Sequence, residues 1–172
     1  IARIALRLVS YLKLVFKARA LLDFNEVSLQ ALSALGNNEA PTDLMLYLDH
    51  QIKHLLIDEF QDTSILHFKL LQMLTLEWQA NDGKTLFIVG DPMQSIYRFR
   101  QAEVNQFLDV KTHGINQVAL EFLQLDCNFR SHKSIVDWVN HHFCSIFPKE
   151  DDRNYGGISY ASATTLSQKI NQ

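Results

Sequence analysis

A short apolar run that ends abruptly in two acids, His54-Leu55-Leu56-Ile57-Asp58-Glu59, constrains the fold more than any other feature of this chain. The run is too short for a stable helix and reads as a buried strand. Ile65 to Trp78 is apolar on most faces, which predicts a helix packed against a sheet. Asn81-Asp82-Gly83 predicts a turn. Thr85 to Val89 is a second buried strand and Val118 to Leu125 a third. Asp91 followed by Pro92 is a helix cap with proline at the first helical position. Val104, Phe107 and Leu108 mark a short helix, and Ser131 can cap another whose apolar stripe is Ile135, Val139, Phe143 and Ile146. Strands alternating with helices give an α/β class with a parallel sheet and flanking helices. In such sheets ligands sit at the carboxyl ends of the strands, and Asp58 and Glu59 occupy such an end.

Helical spacing dominates what precedes the first strand. Ile4, Leu8, Leu12, Val15 and Arg19 repeat near every 3.6 residues, with Lys and Arg between them, as in an amphipathic helix and unlike a signal peptide. A second helix spans Glu26 to Leu35 and ends at Gly36, with Asn37 and Asn38 in the turn. Thr42 can cap a third through Leu44, Leu48 and Ile52. From Gly156 the pattern predicts a turn, a strand at Ile158 to Tyr160 and a polar tail that frays. No internal repeat is present. The chain starts at Ile1 rather than Met, which suggests a fragment.

Composition excludes some classes and leaves others to the motifs. Hydrophobic residues at 47% of 172 argue against disorder. A formal net charge of −3 gives no electrostatic case for nucleic-acid binding, so any such case must rest on local arginines. Cys127 and Cys144 define no pairing and suit a reduced, cytoplasmic protein. No apolar run is long enough to span a membrane.

Two adjacent carboxylates at a strand end repel each other and are useful mainly where a cation sits. In nucleotide hydrolysis one acid can hold Mg²⁺ while the next orients and deprotonates the attacking water. A solvated acidic helix start is the plainer reading of Asp-Glu alone; the Phe60-Gln61-Asp62-Thr63 that follows disfavours it. With those residues the segment resembles the Walker B motif of UvrD/Rep-type helicases. The resemblance implies Asp58 as the Mg²⁺ residue and Glu59 as the general base. Gln61 and Asp62 belong to the same motif, with coupling and structural roles that the sequence does not separate.

Leu86 to Arg100, through Gly90-Asp91-Pro92-Met93-Gln94, resembles motif III of the same helicases. The resemblance implies Gln94 as a γ-phosphate sensor and Phe99 as an aromatic that stacks on a DNA base, with Tyr97, Arg98 and Arg100 beside it on the DNA-binding side. Phe99 stands where UvrD and Rep have Trp, and Gln101 where UvrD has Gly; both departures point to the AddA-like, exonuclease V β-subunit branch. Stacking on an aromatic tolerates any base and contributes roughly 1–3 kcal/mol. Asn128-Phe129-Arg130-Ser131 resembles motif IV, which implies Arg130 on the γ-phosphate and Phe129 against the nucleotide. A guanidinium stays charged and offers a planar fork of donors for that purpose.

The resemblance covers roughly residues 20 to 160 and implies a partial RecA-like P-loop NTPase fold without its Walker A strand, loop and helix. Gly83-Lys84-Thr85 is no substitute, because it precedes a strand and Trp78 stands where a P-loop requires glycine. The expected divisions are a helical segment over 1–50, the C-terminal part of a first motor domain over 51–115 and the start of a second over 116–172. The implied activity is that of an ATP-dependent DNA helicase or translocase, an arm of a helicase–nuclease in double-strand-break repair. ATP and Mg²⁺ are its cofactors. Its partners are single-stranded DNA, duplex ends and a nuclease-helicase subunit. The chain alone is expected to be inactive, and its unpaired strand edges invite self-association. The alternatives are an ATP-independent DNA-binding or interaction module, and a nucleotide hydrolase that does not use DNA. Intact Asp58, Glu59, Gln94 and Arg130 disfavour the first, and Phe99 with its flanking arginines the second.

Overall fold

The computed structural model describes residues 2–37, 40–97, 99, 103–153 and 156–166. Helix α1 (Ala2–Arg19) forms as its periodicity predicts, but Ile4, Leu8 and Leu12 along its stripe remain exposed. Helix α2 (Phe24–Leu35) begins where the Asp23 carboxylate accepts from the Glu26 N–H (2.7 Å) and ends at Gly36, whose φ is 87°. Thr42 starts α3 (Asp43–Gln51) and ties it back to α2. Its hydroxyl accepts from the Met45 N–H (3.2 Å) and donates to the Ala34 carbonyl (2.7 Å). Between these two helices, β1 (Gly36–Asn37) and β2 (Ala40–Pro41) form a small antiparallel pair.

Strand β3 (His54–Ile57) pairs in parallel with β4 (Thr85–Ile88), with Leu55 beside Leu86 and Ile57 beside Ile88. Helix α4 (Ile65–Leu74), capped by Ser64, crosses between them. It is a turn shorter than expected, because the chain turns through Leu76 and Glu77 to bury Trp78. The core lies on one face of the strand pair. Phe60, Leu71, Val110 and Ile115 are its buried centre, and Ile57, Phe68, Leu86, Ile88, Phe107 and Leu120 pack against them. Phe60 meets Phe68 edge-on at 6.3 Å and Phe107 at 6.1 Å between ring centroids. Val110 and Ile115 come from the end of α5 (Val104–His113) and the turn after it.

The expectation of two fully buried strands is corrected here. Only one face is covered, and Leu56, Phe87 and Val89 point outward. Lys84, of the Gly-Lys-Thr run, lies over the Trp78 ring (5.3 Å to the centroid) and pairs with Asp49 at 2.5 Å, so it serves packing before β4.

The second half departs further from expectation. Val118 to Leu125 is not a strand. Apart from an isolated bridge between Ile115 and Val118 the segment pairs with nothing among the described residues, and Leu123 and Leu125 are exposed. An apolar run becomes a strand only where a neighbour accepts its hydrogen bonds. The pairing occurs later, where β5 (Cys127–Asn128) runs parallel to β6 (Thr164–Thr165). Ile158 to Tyr160 is likewise not a strand; Gly157 instead bridges to Asp152. Helix α6 (Lys133–Phe143) takes His132, not Ser131, as its cap. Val136 is its buried residue, whereas Ile135, and Ile146 beyond its end, are exposed, so the predicted stripe is rotated by about one position. Asn140 fastens the helix to the last segment, donating to the Ala163 carbonyl (2.7 Å) and accepting from the Tyr160 hydroxyl (2.8 Å).

Candidate functional site

The chain leaves β3 at Ile57 and turns sharply. Glu59 takes a left-handed backbone conformation (φ 52°, ψ 43°), and Phe60–Asp62 form a single 3-10 turn. The Glu59 backbone N–H donates to Asp58 Oδ1 (2.9 Å). Phe60, buried in the core, anchors this turn, and its N–H donates to the Val89 carbonyl at the end of the neighbouring strand (3.0 Å). Asp58 and Glu59 are thereby held at the surface, side by side at the carboxyl end of the strand pair.

The end of β4 lies against this turn. Asp91 caps the 3-10 turn Pro92–Gln94, accepting from the Met93 N–H at Oδ1 (3.0 Å). Its other oxygen accepts from the Gln94 side-chain amide (2.7 Å). Gln61, buried between the two turns, joins them. Its amide N–H donates to Glu59 Oε2 (2.7 Å), and its Oε1 accepts from the Asp91 N–H (2.9 Å). The structure therefore brings Asp58, Glu59 and Gln94 into one cluster through Gln61 and Asp91.

Asp62 lies behind the cluster. Burial, and then the charge of Glu59, push its carboxyl above the usual carboxylate range. Its buried Oδ1 has no protein partner. Among the described residues no three His, Cys, Asp or Glu side chains converge as a metal cage. A single exposed carboxylate nevertheless suits Mg²⁺, which keeps most of its water and takes further oxygens from substrate phosphates. Asp58 is placed for that: one oxygen is held by the Glu59 N–H and the other has no protein partner among the described residues.

Tyr97 and Phe99 follow the Gln94 turn with ring centroids 5.9 Å apart, Phe99 being 77% exposed. Arg98 and Arg100 lie outside the described residues. Phe129 and Arg130 are exposed on a turn after β5, and no hydrogen bond or ion pair among the described residues links that turn to Glu59 or Gln94. A shallow cavity of ≈ 260 Å³ beside Phe129 is also lined by Asn128, His132, Lys133 and Thr165.

Sequence reasoning missed two residues that shape these sites. Asp91 is a cap as expected, but its hold on Gln94 was not foreseen; a carboxylate at a cap with an amide three residues on is the spacing that could have shown it. Asn128 Oδ1 accepts from the N–H groups of both Arg130 (2.9 Å) and Ser131 (2.8 Å), folding the turn that presents Phe129 and Arg130. An Asn followed two and three residues later by the groups it binds is the signature of such a turn.

Residues 3–114 match the UvrD/REP helicase N-terminal domain, and so contain the whole of the Asp58–Gln94 cluster. The chain belongs to the UvrD/REP helicase family. It is 37% identical over 158 residues to the AddA subunit of the ATP-dependent helicase/nuclease of Listeria innocua, an alignment covering 87% of this chain and 12% of that protein. The proteins of the same description from Exiguobacterium sibiricum (35% over 149 residues) and Levilactobacillus brevis (36% over 151) each align over 86% of this chain and over 12% and 11% of their own lengths. This UvrD/REP-family chain thus spans about an eighth of the length of the curated relatives it matches. No helix among its described residues is long and apolar enough to cross a membrane.

Proposed function

We propose that this chain supplies part of the motor of an ATP-driven DNA helicase or translocase, in a helicase–nuclease that processes DNA double-strand breaks with a second, partner protein. In this reading the segment at the end of β3 is Walker B, the Gln94 turn is motif III and the Asn128 turn is motif IV. They lie on a partial RecA-like frame divided near residues 50 and 115.

Asp58 holds Mg²⁺, which when bound offsets charge on the phosphate oxygens. Glu59 takes the proton of the attacking water; ionised and exposed at the strand end, it can reach a water beside the γ-phosphate. Gln94 exchanges its bond to Asp91 for one to the γ-phosphate. Arg130 brings a fixed positive charge to the same oxygens, and Phe129 packs against the nucleotide. Phe99 and Tyr97 stack on single-stranded DNA, with Arg98 and Arg100 at its phosphates. Because Phe99 follows Gln94 closely on one segment, a change of partner at Gln94 can move the stacking ring.

The observation that carries the reading is the hydrogen-bonded cluster joining the Glu59 carboxylate to Gln94 across the ends of two parallel strands. The test is ATP hydrolysis stimulated by single-stranded DNA, measured on the full-length polypeptide that carries this segment. Glu59→Gln should lower kcat about 10²–10⁴-fold, the range for loss of a general base. The isolated 172-residue chain should not hydrolyse ATP. Full activity in the Glu59→Gln protein would defeat the assignment.

A further inference from the structure

Gln61 has only 2% of its surface exposed, yet the core that surrounds it is apolar. A buried polar side chain is costly unless its donors and acceptors are met. Here they are met by two groups of the proposed hydrolytic site. The amide N–H holds Glu59 Oε2 at 2.7 Å, and Oε1 receives the Asp91 N–H at 2.9 Å. The Gln61 backbone carbonyl also accepts from the Ser95 hydroxyl (3.3 Å), so the same residue fixes both ends of the Asp91–Ser95 turn. Gly90 is shaped to this arrangement: a Cβ there would stand 2.6 Å from Gln61 Oε1.

We propose that Gln61 is a positioning residue, which aims the Glu59 carboxylate and couples it to the Gln94 turn. This rests on the hydrolytic reading of Glu59 given above. Three hydrogen bonds form one line: Gln61 to Glu59, Asp91 N–H to Gln61, and Gln94 to Asp91. A neutral amide is suited to the central place, since it donates at one end and accepts at the other. A carboxylate would repel Glu59, and an apolar side chain would leave both neighbours unmet. The line also gives a route by which Gln94, on leaving Asp91 for a phosphate, alters the support of Glu59.

The test uses the full-length polypeptide with ATP, Mg²⁺ and oligo-dT. Gln61→Met removes the amide at nearly constant length; Gly90→Ala leaves Gln61 in place but displaces its Oε1. Circular dichroism identifies the variant that folds, and either one suffices. The expected result is a fall in kcat of at least tenfold with KM for ATP within twofold of the parent protein. In a Glu59→Gln background the same substitution should add no further loss. A purely structural role would spare kcat in the folded protein. A kcat within twofold of the parent, a proportionate rise in KM, or a further tenfold loss on top of Glu59→Gln would overturn the proposal. Should Glu59→Gln itself leave kcat unchanged, the hydrolytic reading fails. Should it abolish hydrolysis while the folded variants stay active, only the role of Gln61 fails.

Discussion

The β3–β4 region and the segment after it hold their candidate residues in opposite ways. In the first, Phe60 sits in a buried aromatic cluster and the acids next to it inherit its rigidity. Hydrogen bonds then fix Glu59 and Gln94 relative to each other. In the second, β5 and β6 are two residues each, and Val136 and Ile158 are the buried hydrophobic residues. Phe129 and Arg130 lie on an exposed turn shaped by one side chain, Asn128. The chemistry of the first site is thus preorganised by its own core, whereas the second presents a ring and a cation on a surface whose order is local. Preorganised dipoles and donors do not have to be rearranged as a reaction proceeds, which suits the acids more than the arginine.

Removing the anchors puts this contrast to its severest test. Phe60→Ala should cost about 3–5 kcal/mol, and Val136→Ala about 2 kcal/mol by lost apolar burial, both read from urea unfolding. Equal costs would show that the second half rests on a core as deep as the first. A smaller effect is expected at the exposed turn. Asn128→Ala leaves two N–H groups without their acceptor and should cost about 1–2 kcal/mol. Its signature is faster amide hydrogen exchange at Arg130 and Ser131, with none at Glu59 or Phe60.

The smallest effect is on pH. The Ser159 N–H, its hydroxyl, and then Lys111 and Arg153 hold the Asp151 carboxyl below its ordinary value, against some burial. The folded state therefore binds this proton more weakly than the unfolded chain. The contribution is full above the ordinary value of 3.8 and is lost as pH falls through the lowered one. An acid titration followed by NMR should show Ser159 released there, and Asp151→Asn should remove that step.

Much of the first half was legible because its signals are local. Gly36, Thr42, Ser64 and Asp91 carry out in the structure the capping or turn roles their residue types favour, although Ser64 went unread. Leu55 and Ile57 alternate correctly, but that the other face of the strands is open could not be read from an apolar run. Whether a face is covered depends on distant segments. The same reason explains Val118 to Leu125, whose composition favours a strand while no partner lies beside it among the described residues. In α6 the choice between Ile135 and Val136 as the inward residue turned on a cap one position later than expected. At the site, Asp58, Glu59 and Gln94 were legible from their runs. The bridge through Gln61 was not, because it spans thirty residues of sequence, from Gln61 to Asp91.

Glu59 occupies a backbone conformation that side chains with a Cβ avoid, at a cost of about 1–3 kcal/mol. If selection had acted on folding alone, glycine would be the favoured residue at this position. A chain that keeps a glutamate there gives up stability at one point to fix where a carboxylate looks. The turn after β3 is therefore a place where durability and activity pull in opposite directions, and attempts to stabilise this protein by smoothing its backbone would erase what the turn is for.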